Sequence, residues 1–175
     1  MSQKLLKFLA FGIDSAERSG IAVARHADRC EFSGVVRTAV QRRDTCERVA
    51  ALQVKSGLPL VVVAEGWGGV WQRWSTAHGA GRNWGRWLDP IELILGVKEA
   101  QIVRVKPQTW RPALFGPELV KGQDSDALKA LACAYTGLAD KDEAEAICLT
   151  FWVQSSVEGQ EAAEAYVQRA ARATR

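Results

Sequence analysis

The chain has only two histidines, His26 and His78, and its four cysteines, Cys30, Cys46, Cys133 and Cys148, show no CxxC or other metal-ligand spacing. A zinc site is therefore not expected. Scattered thiols without a secretory signal point to a reducing compartment, where they serve as small core residues. A long apolar run is also missing: Leu58 to Ala64, the longest, is too short to span a bilayer and contains Pro59. At the amino terminus Lys7 interrupts the stretch Leu5 to Phe11, Asp14 follows, and no small-residue cleavage site is seen, so a signal peptide is not expected. There is no internal repeat, low-complexity tract or interdomain linker. Nor is there a strong excess of one charge: a net +3 and a pI near 8.8 permit a nucleic-acid partner without demanding one. Apolar residues at 47% and charged residues at 25% exclude disorder as the general state. What remains is a cytoplasmic globular protein, read as one domain over residues 1–175, of which 156–175 form a peripheral helix.

What is present is organised around Lys7 to Arg25, KFLAFGIDSAERSGIAVAR, which reads as two strands joined by a polar turn. Phe8, Leu9, Phe11 and Ile13 make the first strand nearly all apolar, as in a strand covered on both faces. Ser15 to Ser19 is turn chemistry, Gly20 lets the chain reverse, and Ile21 to Ala24 resume extended structure. Asp14 ends the first strand. A carboxylate there is either a turn aspartate accepting backbone N–H groups or a metal ligand.

A third strand is expected over Cys30 to Arg37, joined to the second by the short link His26 to Arg29 and hence antiparallel to it. Thr38 to Ser56 is expected to be helical, with Cys46, Val49, Ala50 and Gln53 on one face and Asp44 as an alternative, later cap. Gly57 and Pro59 end it. Leu60 to Glu65, LVVVAE, follows a helix and is strongly apolar, so it should be a parallel strand inside the sheet. It too ends in a carboxylate, Glu65. Beyond it, Asp89 before Pro90 suggests a helix start, running to about Ala100. Gln101 to Val105 reads as a fifth strand, and Pro107 as the start of a turn or short helix. Pro112 and Pro117 are expected to keep the next segment irregular. Helices should follow over Gln123 to Tyr135, Lys141 to Gln154 and Glu158 to Arg172, the first with Ala127, Leu128, Leu131, Ala132 and Tyr135 as its apolar face. The class is α/β, with a mixed five-stranded sheet, three antiparallel strands and then two parallel ones, flanked by helices.

In the helix from Lys141, Asp142 and Glu145 share the face that continues as Cys148, Leu149 and Trp152. Acids on a core-facing stripe need a reason. Asp140 and Glu143 do not, since they suit a cap and a first-turn charge. If Asp14, Glu65, Asp142 and Glu145 converge, they would raise one another's pKa unless a cation neutralised them. Oxygen ligands without His or Cys favour Mg²⁺ or Mn²⁺, and a pair of such ions can drive hydrolysis of a phosphodiester.

FGIDSAERSGIAV at 11–23, VVVAEGWGG at 61–69, VKPQTWRPALFG at 105–116 and DEAEA at 142–146 resemble, in this order, the RuvC-type Holliday junction resolvases of the RNase H-like nuclease superfamily, especially shorter phage and viral members. The resemblance implies an RNase H-like fold and a homodimeric, Mg²⁺-dependent endodeoxyribonuclease of the crossover-junction type that cuts branched DNA in recombination, repair or phage debranching. Asp14, Glu65, Asp142 and Glu145 take the places of the catalytic acids, holding two ions per site. The chain departs from the family with Ser15 and Ala16 where Pro-Gly is usual, and with Glu145 where the last acid is commonly Asp. Which cation serves the phosphate stays open among Lys106, Arg111, Lys121 and Lys129, Arg111 fitting best by its spacing to Gly116.

Between Gly66 and Leu88, Trp67, Trp71, Trp74, Trp84 and Trp87 alternate with glycines and with Arg73, Arg82 and Arg86. Trp71, Trp74, Trp84 and Trp87 could stack on splayed bases, Trp74 and Trp87 foremost, with the arginines on phosphate. Alternatively they cover the edge of a small core. Trp152 is assigned to the core, Arg42 and Arg43 to a solvated helix face, Arg169 and Arg172 to a helix end, and His78 to a surface loop. Competing readings are a nuclease of the same fold acting on an RNA/DNA hybrid or RNA precursor, and a catalytically silent binder of branched DNA. A sugar-kinase or actin-like fold would need a second domain for which the chain is too short.

Overall fold

A computed structural model describes residues 6–66 and 74–173, with the helical backbone alone for 74–81 and 172–173. Trp67, Trp71 and Arg73 lie outside the described residues, as do the side chains of Trp74, His78 and Arg172. The sheet has five strands in the order β3-β2-β1-β4-β5: β1 (Leu9–Asp14), β2 (Ser19–His26), β3 (Arg29–Val36), β4 (Leu60–Glu65) and β5 (Val103–Val105). β1 is antiparallel to β2, and β2 to β3, whereas β4 runs parallel to both β1 and β5. This is the mixed sheet expected from the sequence.

Helix α1 (Ala39–Ser56) begins at a capping box in which Thr38 and Gln41 each satisfy the other's backbone, so the later start at Asp44 is not used. It ends at Gly57, whose φ of 64° is the left-handed conformation glycine adopts without a steric penalty. Helix α2 (Trp74–Leu95) corrects the expected start at Asp89: Pro90 lies inside it. Trp84, Trp87, Leu88 and Ile91 recur at helical spacing and bury one face, which outweighs the backbone bond that Pro90 removes. Gly96 ends the helix short of Ala100, and a 3₁₀ turn (Glu99–Gln101) shortens β5 at its start.

Pro107 opens α3 (Pro107–Phe115), as expected, but the irregular chain expected after it is helical: Pro112 lies inside α3, and Pro117 opens α4 (Pro117–Val120). Asp124 caps α5 (Ser125–Thr136) and Asp140 caps α6 (Lys141–Ser155). Helix α7 (Val157–Ala173) packs on α6 and the β4–β5 edge. No described helix is long and apolar enough to cross a membrane.

The alternation of β1 decides what each face of the sheet can do. Phe11 meets the Trp87 ring edge-on at 6.1 Å, so Leu9, Phe11 and Ile13 face α2. Gly12 lies against the Ala146 carbonyl and Thr150, so Ala10, Gly12 and Asp14 face α6. The register places Gly12 beside Val63 and Asp14 beside Gly20, which puts Glu65 and Gly20 on the α6 face as well. A Cβ at Gly20 would fall on the Asp142 carbonyl, so glycine there is what lets the start of α6 close on the sheet.

Candidate active site

Asp14 and Glu65 end adjacent parallel strands on one face, at the end of the sheet against which the first turn of α6 is seated. Among the described residues no backbone N–H of the turn donates to the Asp14 carboxylate. That turn is closed instead by its own backbone, Ala16 N–H donating to the Asp14 carbonyl at 3.1 Å, and by the Ser19 hydroxyl donating to the Ala16 carbonyl at 2.9 Å. Burial pushes the Asp14 carboxyl well above the usual carboxylate range; Glu145, Glu65 and Asp142 push it further and Lys129 opposes them. Strands β1 and β4 and helix α6 therefore bring Glu65, Asp142 and Glu145 within electrostatic reach of Asp14.

Glu65 is fixed by the Trp110 indole, whose Nε1–H donates to its Oε2 at 3.1 Å. Trp110 is fully buried and packs edge-on against Phe115, so α3 serves as the rigid mount for this contact. Burial raises the Glu65 carboxyl, and Arg111 partly offsets the rise. The Arg111 guanidinium is 3.7 Å from Glu65 and in direct contact with Glu145, whose side chain is only 3% exposed. Arg111 was expected to act as the functional base of this segment, and it lies among the acids.

Lys129 and Arg18 complete the charge balance. The Lys129 ammonium stands 3.3 Å from Asp142 and 3.5 Å from Glu145. Burial alone would lower it, but Glu145, Asp14 and Asp142 together outweigh that effect and raise it. Arg18 reaches from the β1–β2 turn to Asp142 at 3.2 Å and to the helix cap Asp140. By sequence Arg18 belongs to the polar turn Ser15 to Ser19. Its side chain crosses between elements that sequence spacing does not relate.

Asp14, Glu65, Asp142 and Glu145 are the residues whose oxygens could hold a divalent ion. Their donor chemistry fits a hard cation; the Asp14 carboxyl is raised first by burial and then by the neighbouring carboxylates. Among the described residues no three acids stand together as a metal-holding group; Arg111 and Lys129 are interposed. Arg111 and Lys129 offset part of the cluster's charge.

Trp87 is fully buried, donating from Nε1 to Ser19 Oγ at 3.0 Å, and Trp84 is 7% exposed, bonded to Glu99 and covered by Arg104. Their rings fill the core, the second of the two readings open for them, and Trp87 is therefore not free to stack on bases as the DNA-binding expectation for it required. Trp152 is in the core as expected. Arg42, expected on a solvated face, is 3% exposed and lies over Trp87. Arg43 is exposed. Arg82 and Arg86 are exposed on α2, Lys106 precedes α3 and Lys121 follows α4; none of these pairs with the acids among the described residues.

No family model matches this chain, and no curated protein matches it by sequence. Solved structures do. The chain resembles Thermus thermophilus RuvC in complex with a Holliday junction substrate, with a TM-score of 0.54 and 18% identity over 83% of this chain and 91% of that one. A second Thermus thermophilus RuvC structure matches with a TM-score of 0.52 and 19% identity over 83% of this chain and 92% of the other. At such identity the likeness is one of fold, and the fold is that of RuvC and the RNase H-like proteins.

Proposed function

We propose that this chain is a structure-selective DNA endonuclease that resolves four-way junctions by metal-assisted hydrolysis of phosphodiester bonds. The observation that carries the reading is that Arg111 bridges Glu65 and Glu145, and Lys129 bridges Asp142 and Glu145, on the face and at the end of the sheet where Asp14 closes β1. The fold shared with junction-resolving RuvC supports the choice of substrate. Asp14, Glu65, Asp142 and Glu145 would hold one or two Mg²⁺ or Mn²⁺ ions. Bound there, such ions supply an activated water and charge stabilisation at the leaving oxygen.

The protein's own groups do the rest. Trp110 holds Glu65 in a single orientation, and the close seat of α6 on Gly20 fixes Asp142 relative to the strand acids. Arg111 and Lys129 already stand among the carboxylates, so a phosphate drawn to the site meets a planar fork donor and a mobile point charge. A four-way junction is two-fold symmetric and needs two matched cuts, which a homodimer with one site per protomer would supply.

The test is cleavage of a synthetic four-way junction, a linear duplex and an RNA/DNA hybrid with Mg²⁺ or Mn²⁺, using wild type and Asp14→Asn. Paired nicks in the junction alone, lost in the variant, are expected. Cleavage of the hybrid alone would move the substrate to RNA. No metal-dependent cleavage, together with no Mg²⁺-induced rise in melting temperature, would overturn the reading.

A further inference from the structure

A groove of about 840 Å³ opens between the amino-terminal end of α1 and the carboxy-terminal half of α2. Its lining holds four cations, Arg37, Arg42, Arg43 and Arg86, and one carboxylate, Asp89, together with the apolar Pro90, Leu93 and Ile94. Arg43 is paired along its own helix with Glu47 at 3.1 Å. Arg37, Arg42 and Arg86 have no carboxylate partner among the described residues, and the sequence from Gly66 to Leu88 contains no acid at all. The first turn of α1 carries none either, so the helix dipole adds to the positive field.

Arg42 is the unusual member. Its guanidinium is buried, lies 5.8 Å from the Trp87 ring centroid and donates once, to the Arg37 carbonyl at 3.2 Å. Its Nε is buried without a partner. A buried cation left unpaired costs several kcal/mol, roughly, and here more arginines surround it. Burial, and then the Arg86 charge, push this guanidinium below its ordinary value. An anion in the groove would supply the missing partner.

The location narrows the kind of anion. Val36 at the end of β3 pairs with Ser19, and Gly20 pairs with Asp14, so α1 starts at the same end of the sheet as the acids. The groove's floor connects to the turn after Asp14 through Trp87 and Ser19. The groove and the acids thus lie at one end of the sheet on opposite faces. A single polyanion with a repeating charge can occupy both, and guanidinium forks match its phosphates.

We propose that this groove holds the phosphodiester backbone of the nucleic acid engaged at the carboxylates, as a second contact on the opposite face of the sheet. The inference rests on the nuclease reading above. It is tested by fluorescence anisotropy of a labelled four-way DNA junction, in a chelator and over a range of salt. Wild type is compared with the double variants Arg37→Gln/Arg86→Gln and Arg37→Lys/Arg86→Lys. Both side chains are exposed, and circular dichroism melts check the fold. For the Gln pair, affinity should fall roughly tenfold or more and the log–log salt slope by about 2, while the Lys pair keeps the wild-type slope. A Gln pair with wild-type affinity and slope overturns the inference, and the nuclease reading survives if wild type still cleaves the junction. A Lys pair that loses as much as the Gln pair also overturns it, since charge would not be the carrier. Wild type that binds no nucleic acid overturns both.

Discussion

The two faces of the sheet are made from the same strands by opposite means. Toward α2, β1 offers Leu9, Phe11 and Ile13, which pack with Trp87 and Ile91 in a large apolar cluster. Toward α6 it offers Ala10, Gly12 and Asp14, and β2 adds Gly20 against Asp142 and Ala22 against Ala146. Large side chains on one face bury the area that stabilises the fold. Small ones on the other let a helix approach closely enough to set its first-turn acids beside those of the strands. One face is built for stability and the other for proximity, and the second carries a burden of like charge that the first must offset.

That contrast can be broken most sharply at Asp14. Replacing it with Asn should lower junction cleavage by on the order of 10⁴-fold, roughly 5 kcal/mol of barrier, while raising metal-free stability by about 0.5–2 kcal/mol. Cleavage assays paired with urea denaturation read both halves; a variant less stable than wild type would deny that the acids are a burden. On the opposite face, Trp87→Ala or Phe11→Ala should cost about 3–5 kcal/mol in the same denaturation experiment, with the fold rather than the chemistry at stake. Gly12→Ala tests whether the close face tolerates any bulk. Its Cβ would press on the Ala146 carbonyl and Thr150, and a loss of about 1–3 kcal/mol is expected.

A pH series sharpens the comparison further. Asp14 and Glu65 are both held above the ordinary carboxylate range by burial, Asp14 with help from neighbouring acids. Each therefore contributes stability that is fully present below about pH 4 and lost as pH rises through its raised folded value. In a chelator the urea midpoint of wild type should decline across that interval, and Asp14→Asn should decline less. The smallest effect belongs to Arg43→Ala, whose exposed pair with Glu47 should change stability by no more than about 0.5 kcal/mol.

The sheet and its strand-end acids were legible because local rules govern them. Apolar runs closed by a carboxylate mark β1 and β4, and the three-residue spacing of Asp142 and Glu145 puts them on one side of α6. Helix α2 was misplaced because Asp89–Pro90 is a strong local start signal, whereas the Trp84, Trp87, Leu88 and Ile91 stripe that overrides it depends on what those residues pack against. Arg42 is covered by Trp87, a residue far along the chain, so no window around it reveals its burial. Lys129 is among the cations the sequence offers, whereas the turn around Arg18 does not mark its partners, because long side chains reach across elements in directions that spacing does not encode.

The seat of α6 on Gly20 has a consequence for biosynthesis. Arg18 and Asp142, which meet there, are 124 residues apart in sequence. Contacts of such separation are paid for in loop-closure entropy before they return anything, and they form late. A chain emerging from the ribosome would complete its first four strands and the aromatic layer beneath them while still lacking the helix that carries the final acids. The acids of α6 would join those of β1 and β4 only once that later helix has been made and has closed on the sheet.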